Sequence, residues 1–498
     1  MQYLNNSTDF KNYKLLVFTC IIAILTYGFA LTNFTITIDN ETPIHPNFGL
    51  EFGRWGQNLI LYHLFNGHLQ YFTLLTSLIL FSISALRLAK IFKLDNTSSY
   101  IFCALFLTFP QISYQVVFAM MADIAAIGVL LSVFCVEFFI KGLESKNNRN
   151  KLINFLWATL LFTFNTSIYQ AFVIIPPTIY FLLFFQNSFK ENFNLKTEIK
   201  NIFLFSFIVL ISVILYVISV KIICPPIDSN GYITSFVSGG SSNHFIDFCL
   251  IWYNNLMGSF YVGEKTFIII PLISLVLIIH FIVNRKMILV KIMTLLLILL
   301  IPFLSSFFIT NGYHPPRIYV TSNLIYAFII AFAINYFKIF NYNLTKISVA
   351  IIATVNIYYV TTLFYTANKI FKHDVRIAEK IDTIILSKYP NFPLTEKKVF
   401  FFGYFPYEYH NNLRLDKSEI FGGSFYSWDN GNNYRIINFF KVAEVADYSI
   451  LNSKEELNKV QDSISTMPVW PNSNSIKMIN DIIVVKLGEN KGMPMYFE

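Results

Sequence analysis

The segment 35–57 reads TITIDNETPIHPNFGLEFGRWGQ and gathers Asp39, Glu41, Glu51 and Arg54 within sixteen positions. Asp39 and Glu41 follow directly on an apolar stretch, so they stand at the surface of whatever dissolves that stretch. A carboxylate at the edge of a low-dielectric medium has its charged form disfavoured. That raises its pKa toward the range in which it accepts a proton from an attacking hydroxyl. Arg54, between Gly53 and Gly56, offers a planar fork that matches phosphate oxygens. Trp55 beside it suits stacking on a flat apolar face or anchoring at lipid headgroups. A solvated loop with an interfacial Trp accounts for the same residue types without any chemistry.

Other candidates are scattered. Asp123 in MMADIAAIG is a carboxylate near the end of an apolar segment, where a charge is expensive and marks function by default; an acid reaching to outer water is the bland reading. Tyr114-Gln115 and Tyr169-Gln170 repeat one polar aromatic pair at the tips of two hairpins, a pairing that suits sugar binding and equally suits a membrane interface. In NGYHPPRIYV, His314 and Arg317 bracket two prolines, and Arg317 reads as a second phosphate contact or an interfacial anchor. The segment 224–265, with SGGSSNH, is expected to be a long connection able to gate a site, with Asp228, His244 and Asp247 available. No P-loop, HExxH, Cys/His zinc spacing or nucleophile elbow is present, which argues against ATP-driven pumping, zinc chemistry and serine hydrolysis. A divalent metal on Asp39, Glu41 or Asp123 is compatible with these residues, and nothing in their spacing requires one.

The elements that must position these side chains are membrane helices. Of 498 residues 55% are hydrophobic and 13% charged, against roughly 25% charged in a soluble domain. Apolar stretches recur near 14–33, 70–90, 98–111, 120–140, 152–165, 168–186, 201–223, 266–283, 287–309, 317–337 and 346–366, about eleven spans across ~30 Å of hydrocarbon, all necessarily helical, the third and fifth short and running into the next as re-entering hairpins. The first is a retained helix and not a signal peptide. Residues 1–366 carry 21 Lys and Arg against 13 Asp and Glu, whereas 367–498 carry 16 of each. With the N-terminus inside, seventeen of those 21 cations fall on the inner side; Arg54, Lys221, Lys265 and Arg317 fall outside. The excess is therefore a topology signal and not a nucleic-acid footprint. An odd number of spans sends the remainder outside. The expected domains are a transmembrane domain 1–366 with outer catalytic loops and a soluble domain 367–498. The latter reads as α+β, with strands at Val399–Phe402 and Ile482–Val485 and a helix over Ser453–Asp462. Cys20, Cys103 and Cys135 read as core residues, and Cys224 and Cys249 are the one pair the outer side leaves open.

An acidic pair after the first helix, Gly53-Arg54-Trp55, Tyr169-Gln170 and a late outer Arg317 together resemble the serotype-converting O-antigen glucosyltransferases of the Gtr type II kind. The resemblance covers about 1–366; Asn40 stands where that family usually has a second Asp. It implies a GT-C-like enzyme of the bacterial inner membrane with a cytoplasmic N-terminus and a periplasmic C-terminal domain. Such enzymes take glucose from undecaprenyl phosphate and add it to the O-antigen repeat of lipopolysaccharide, with no cofactor. Mapped here, Asp39 is the general base, Glu41 its partner or substitute, and Arg54 and Arg317 neutralise the leaving phosphate. Trp55, Asp123, Tyr114, Gln115, Tyr169, Gln170 and His314 are the expected substrate contacts.

Rival readings are a carrier or flippase of lipid-linked glycans, an O-antigen acyltransferase and a polymerase. A carrier would need paired repeats and polar groups at mid-membrane, where this chain clusters its acids at one face. An acyltransferase would need a His-centred inner site. A polymerase would carry an arginine-bearing outer loop, and 224–265 contains no Arg.

Overall fold

The computed structural model describes residues 6–226, 244–307, 314–339, 343–390, 398–406, 418–451 and 454–489. The chain forms two compact units, one of Met1–Leu31 with Ile44–Thr361, the other of Thr32–Pro43 with Thr362–Glu498. The acidic segment after the first helix thus belongs to the second unit.

The first unit is helical. Its principal helices are α1 (Asn6–Thr32), α2 (Gln70–Ile91), α3 (Asn96–Thr108), α4 (Ala122–Glu144), α5 (Asn148–Ile168), α6 (Ile175–Asn187), α7 (Leu195–Ile223), α8 (His244–Leu256), α9 (Ile269–Asn284), α10 (Ile288–Leu300), α11 (Ser322–Tyr336) and the start of α12 (Asn343–Lys388). Each apolar stretch expected from the sequence is mostly helical among the described residues. By length and composition, seven helices among the described residues can cross a membrane, fewer than the eleven expected. At 1.5 Å per residue, α3 with 13 residues and α11 with 15 reach only about 20 Å. Both are enclosed by protein. Ser322 to Ile334 of α11 is buried without interruption, and so is Ile101 to Thr108 of α3. A helix apolar on all sides must be enclosed by something, and here protein encloses it. Phe328 of α11 meets Phe92 edge-on at 4.7 Å, and Tyr326 stacks on Phe109 at 4.3 Å. By contrast, α7 exposes Phe203, Phe207, Leu210, Ile214, Val217 and Ile222, a surface suited to contact with lipid.

One expectation is corrected in this unit. The segment 224–265 is not a plain connection, because α8 occupies part of it. Phe248 and Ile251 bury against Phe303, Ile318 and Tyr319, which fixes that helix; Asp228 lies outside the described residues. All five cysteines are free.

In the second unit α12 runs through position 366 without a break and ends at Lys388. A four-stranded sheet follows: β1 (Lys398–Phe402), β2 (Ser449–Ile450), β3 (Ile476–Ile479) and β4 (Ile482–Lys486), in the order β2-β1-β4-β3. β1 is parallel to β2 and β4, and β3 is antiparallel to β4. The two expected strands are its central pair. Their apolar runs suit strands covered on both faces. Phe400, Ile482 and Val484 pack under Val460 and Ile464 of α14 (Lys454–Ile464). On the other face Phe401 meets Phe440 of α13 (Asn433–Val442) at 5.4 Å. Lys486, 1% exposed, is satisfied by donating to the Met467 carbonyl and pairing with Glu489.

Candidate active site

The acidic pair sits in a folded corner of the second unit. The Asn40 amide nitrogen donates to the Thr37 carbonyl at 3.0 Å, and that of Thr42 to the Asp39 carbonyl at 3.2 Å, closing two overlapping turns. Asp39 takes a left-handed φ of 77°, which Asp and Asn tolerate better than other side chains. The Asn40 side chain donates to Thr37 Oγ1, and Ile38 is fully buried against Gly423. Asn368 of α12 donates to the Phe34 carbonyl and to Thr35 Oγ1, pinning the start of the segment.

These turns aim both carboxylates at one guanidinium. Arg435 donates from Nη1 to Asp39 Oδ1 at 2.8 Å and to Glu41 Oε1, and from Nε to Asp429 Oδ2 at 2.7 Å. Asn432 caps α13 by accepting from the amides of Tyr434 and Arg435, so Arg435 projects from a rigid first turn. Asn433 accepts from the Phe401 amide and ties that turn to β1. Asp39 remains 35% exposed, whereas Glu41 is 1% exposed and its Oε2 is buried without a hydrogen-bond partner among the described residues. Burial drives the Glu41 pKa up to about 7, with Asp39 adding to the rise and Arg435 opposing it. Burial alone would lower the Arg435 pKa; the three carboxylates outweigh it and raise it.

Sequence reasoning missed Arg435 and Asp429. A signal existed in SWDNGNNYRI, where Asp429-Asn430-Gly431 marks a turn and Asn432 marks a helix start. Nothing local ties that motif to position 39.

The first unit holds the other candidates in separate groups. Gly49 and Gly53, both at positive φ, shape the turn that presents Arg54. Arg54 Nε donates to Gln170 Oε1 at 3.1 Å, and its guanidinium lies 4.8 Å from the Tyr169 ring centre. Gln170 donates to the Phe52 carbonyl and to the Tyr216 hydroxyl, which donates to the Gly53 carbonyl. The structure thus brings Arg54, Tyr169 and Gln170 together. No carboxylate pairs with Arg54 among the described residues, which leaves its charge for an outside anion. Trp55 is engaged internally: its indole donates to Ser219 Oγ and its ring lies against Phe164.

Gln115 donates to the Arg317 carbonyl, and the Arg317 guanidinium lies 5.2 Å from the Phe118 ring centre. Tyr114 is 1% exposed and donates to the Val262 carbonyl. Asp123 is also buried; Oδ1 accepts from the Ile124 amide, and Oδ2 has no partner among the described residues. His314 has its Nδ1 buried and without a partner among the described residues, and burial holds its pKa below the usual value against the pull of Asp247.

A carboxylate gripped by a cation and still open to solvent, with a second carboxylate behind it, can accept a proton. An unpaired guanidinium on an aromatic and amide platform can take up negative charge. The family model for glucosyl transferase GtrII matches residues 28–334, well over half the chain. The chain belongs to the GtrII family. Membership makes it a glycosyltransferase, and the apolar helices make this GtrII protein a membrane protein. The matched region includes Asp39, Glu41, Arg54, Gln170 and Arg317 and stops before Asp429 and Arg435. No curated protein and no solved structure matches this GtrII chain.

Proposed function

We propose that this protein transfers glucose from undecaprenyl-phosphate-glucose to the O-antigen repeat of lipopolysaccharide, on the periplasmic side of the inner membrane. The reading is carried by the partly exposed Asp39 carboxylate, held by Arg435 beside buried Glu41. Asp39 accepts the proton of the acceptor hydroxyl as its oxygen attacks C1 of the donor sugar. The bond from C1 to the phosphate oxygen breaks, and its electron pair leaves with the phosphate. Arg54 and Arg317 neutralise the charge that develops there. One displacement inverts C1, so a β-linked donor gives an α-linked branch. A lipid-phosphate donor needs no nucleotide site, in keeping with a sequence that has no Gly-rich phosphate loop. Tyr169, Gln170, Gln115, Asp123 and His314 are the proposed contacts to donor and acceptor. Trp55 and Tyr114, with their polar atoms engaged internally, act by holding the Arg54 turn and the Tyr114–Gln115 hairpin in place.

The test is transfer in membranes supplied with synthetic undecaprenyl-phosphate-glucose and O-antigen acceptor. Asp39→Asn is expected to lose at least about a hundredfold in rate, the lower range for a general base, with insertion and expression unchanged. In the same assay Arg54→Ala raises the donor KM. Full activity of Asp39→Asn removes the base assignment, and unchanged donor saturation removes the phosphate role of Arg54.

A further inference from the structure

We propose that a groove in the second unit binds the phosphate headgroup of a membrane lipid, a role separate from the donor contacts assigned above. The groove has a volume of about 470 Å³. Lys372 and Arg376 supply its positive charge, and Phe34, Phe371, Val375 and Val442 its apolar wall. Both cations are exposed, and neither forms an ion pair among the described residues. Glu379 and Glu444 also line the groove without approaching either cation within ion-pair distance.

Their place along α12 points to lipid. Lys369, Lys372, Arg376 and Lys380 fall at i, i+3, i+7 and i+11, on one face of the helix. The apolar part of α12 ends at Thr366. At 1.5 Å per residue Lys372 and Arg376 stand about 9 and 15 Å further along the axis. The headgroup layer extends roughly 5–7 Å past the hydrocarbon, within reach of long basic side chains that bend back toward it. With the outward orientation proposed above, these four cations occupy the side where Lys and Arg are depleted near span ends. An anionic partner accounts for their retention there. Only that last step rests on the proposed orientation. Free phosphate would need the cations alone, whereas the apolar wall, with Phe34 62% exposed, matches the chain of a lipid.

Full-length protein in detergent, without donor or acceptor, is titrated with phosphatidylglycerol, phosphatidylcholine and inorganic phosphate, with binding read by native mass spectrometry. Phosphatidylglycerol is expected to bind preferentially. The double variant Lys372→Gln/Arg376→Gln is expected to weaken it by about 25-fold, roughly fivefold per cation, at an unchanged melting temperature. The charge-keeping exchange Lys372→Arg/Arg376→Lys retains binding, and so does Asp39→Asn. Equal affinity in the wild type and the Gln variant overturns the site, as does loss in the charge-keeping variant. Competition by inorganic phosphate as effective as lipid overturns the lipid assignment. Because no transfer is measured, failure here leaves the glucosyltransfer reading untouched, and failure of transfer leaves this site untouched.

Discussion

Three carboxylates share one guanidinium at Arg435, and burial drives the pKa of Glu41, the least exposed of them, upward, with Arg435 opposing the rise and Asp39 adding to it. The Glu41 pKa of about 7 lies above the ordinary 4.5, so the folded protein binds this proton more tightly than the unfolded chain. Stability from Glu41 is therefore complete below about pH 4.5 and is lost as pH rises through 7. Glu41→Gln fills the same space and cannot ionise. The wild-type melting temperature is expected to fall between pH 4.5 and 7 by more than that of Glu41→Gln. Parallel pH profiles for the two proteins would mean that Glu41 ionises freely.

Close approach of short elements to long ones holds the Arg54 turn. The helix Trp55–Asn58 lies on α5 at Gly56, where an added Cβ would stand 2.3 Å from Ser167 Oγ and 3.1 Å from the Ser167 carbonyl carbon. The Ser167 hydroxyl can rotate aside only by giving up its hydrogen bond to the Phe164 carbonyl, and the Ser167 carbonyl carbon is backbone that must itself give way. Gly56→Ala is expected to destabilise the protein by about 1–3 kcal/mol, the usual cost of overpacking. Gly28→Ala in α1 is the control, since a Cβ there meets nothing within 4 Å. Thermal unfolding in detergent reads both, and equal melting temperatures would show that the turn can move off α5.

For the whole molecule, orientation decides whether the chemistry has access to its substrates. Seventeen of the 21 cations in 1–366 fall on one side of the proposed spans, a bias that predicts a cytoplasmic N-terminus. Alkaline phosphatase, which folds only after export, is expected to be active when fused after Lys388. An inactive fusion, with a cytoplasmic fluorescent reporter lit at the same point, would reverse the orientation and with it the periplasmic acceptor.

Local pattern made much of this legible. Long apolar runs can only be helices in lipid, and the runs at Val399–Phe402 and Ile482–Val485, too short for helices, became the central strands of the sheet. Gly53-Arg54-Trp55 stood out by residue type, whereas the turn that presents the arginine, with Gly53 at positive φ, came from the structure. What surrounds an apolar helix is not written in its own composition: α3 and α11 read as spans, and tertiary packing enclosed them in protein. Nor did position 39 carry any sign of position 435. The contact between Glu41 and Arg435 joins residues 394 apart in sequence, and it exists because the chain after the first helix folds into the second unit. Side-chain type and period are properties of neighbours along the chain and survive in any fold. Charge pairing and burial depend on distance in space, which only the assembled tertiary structure supplies.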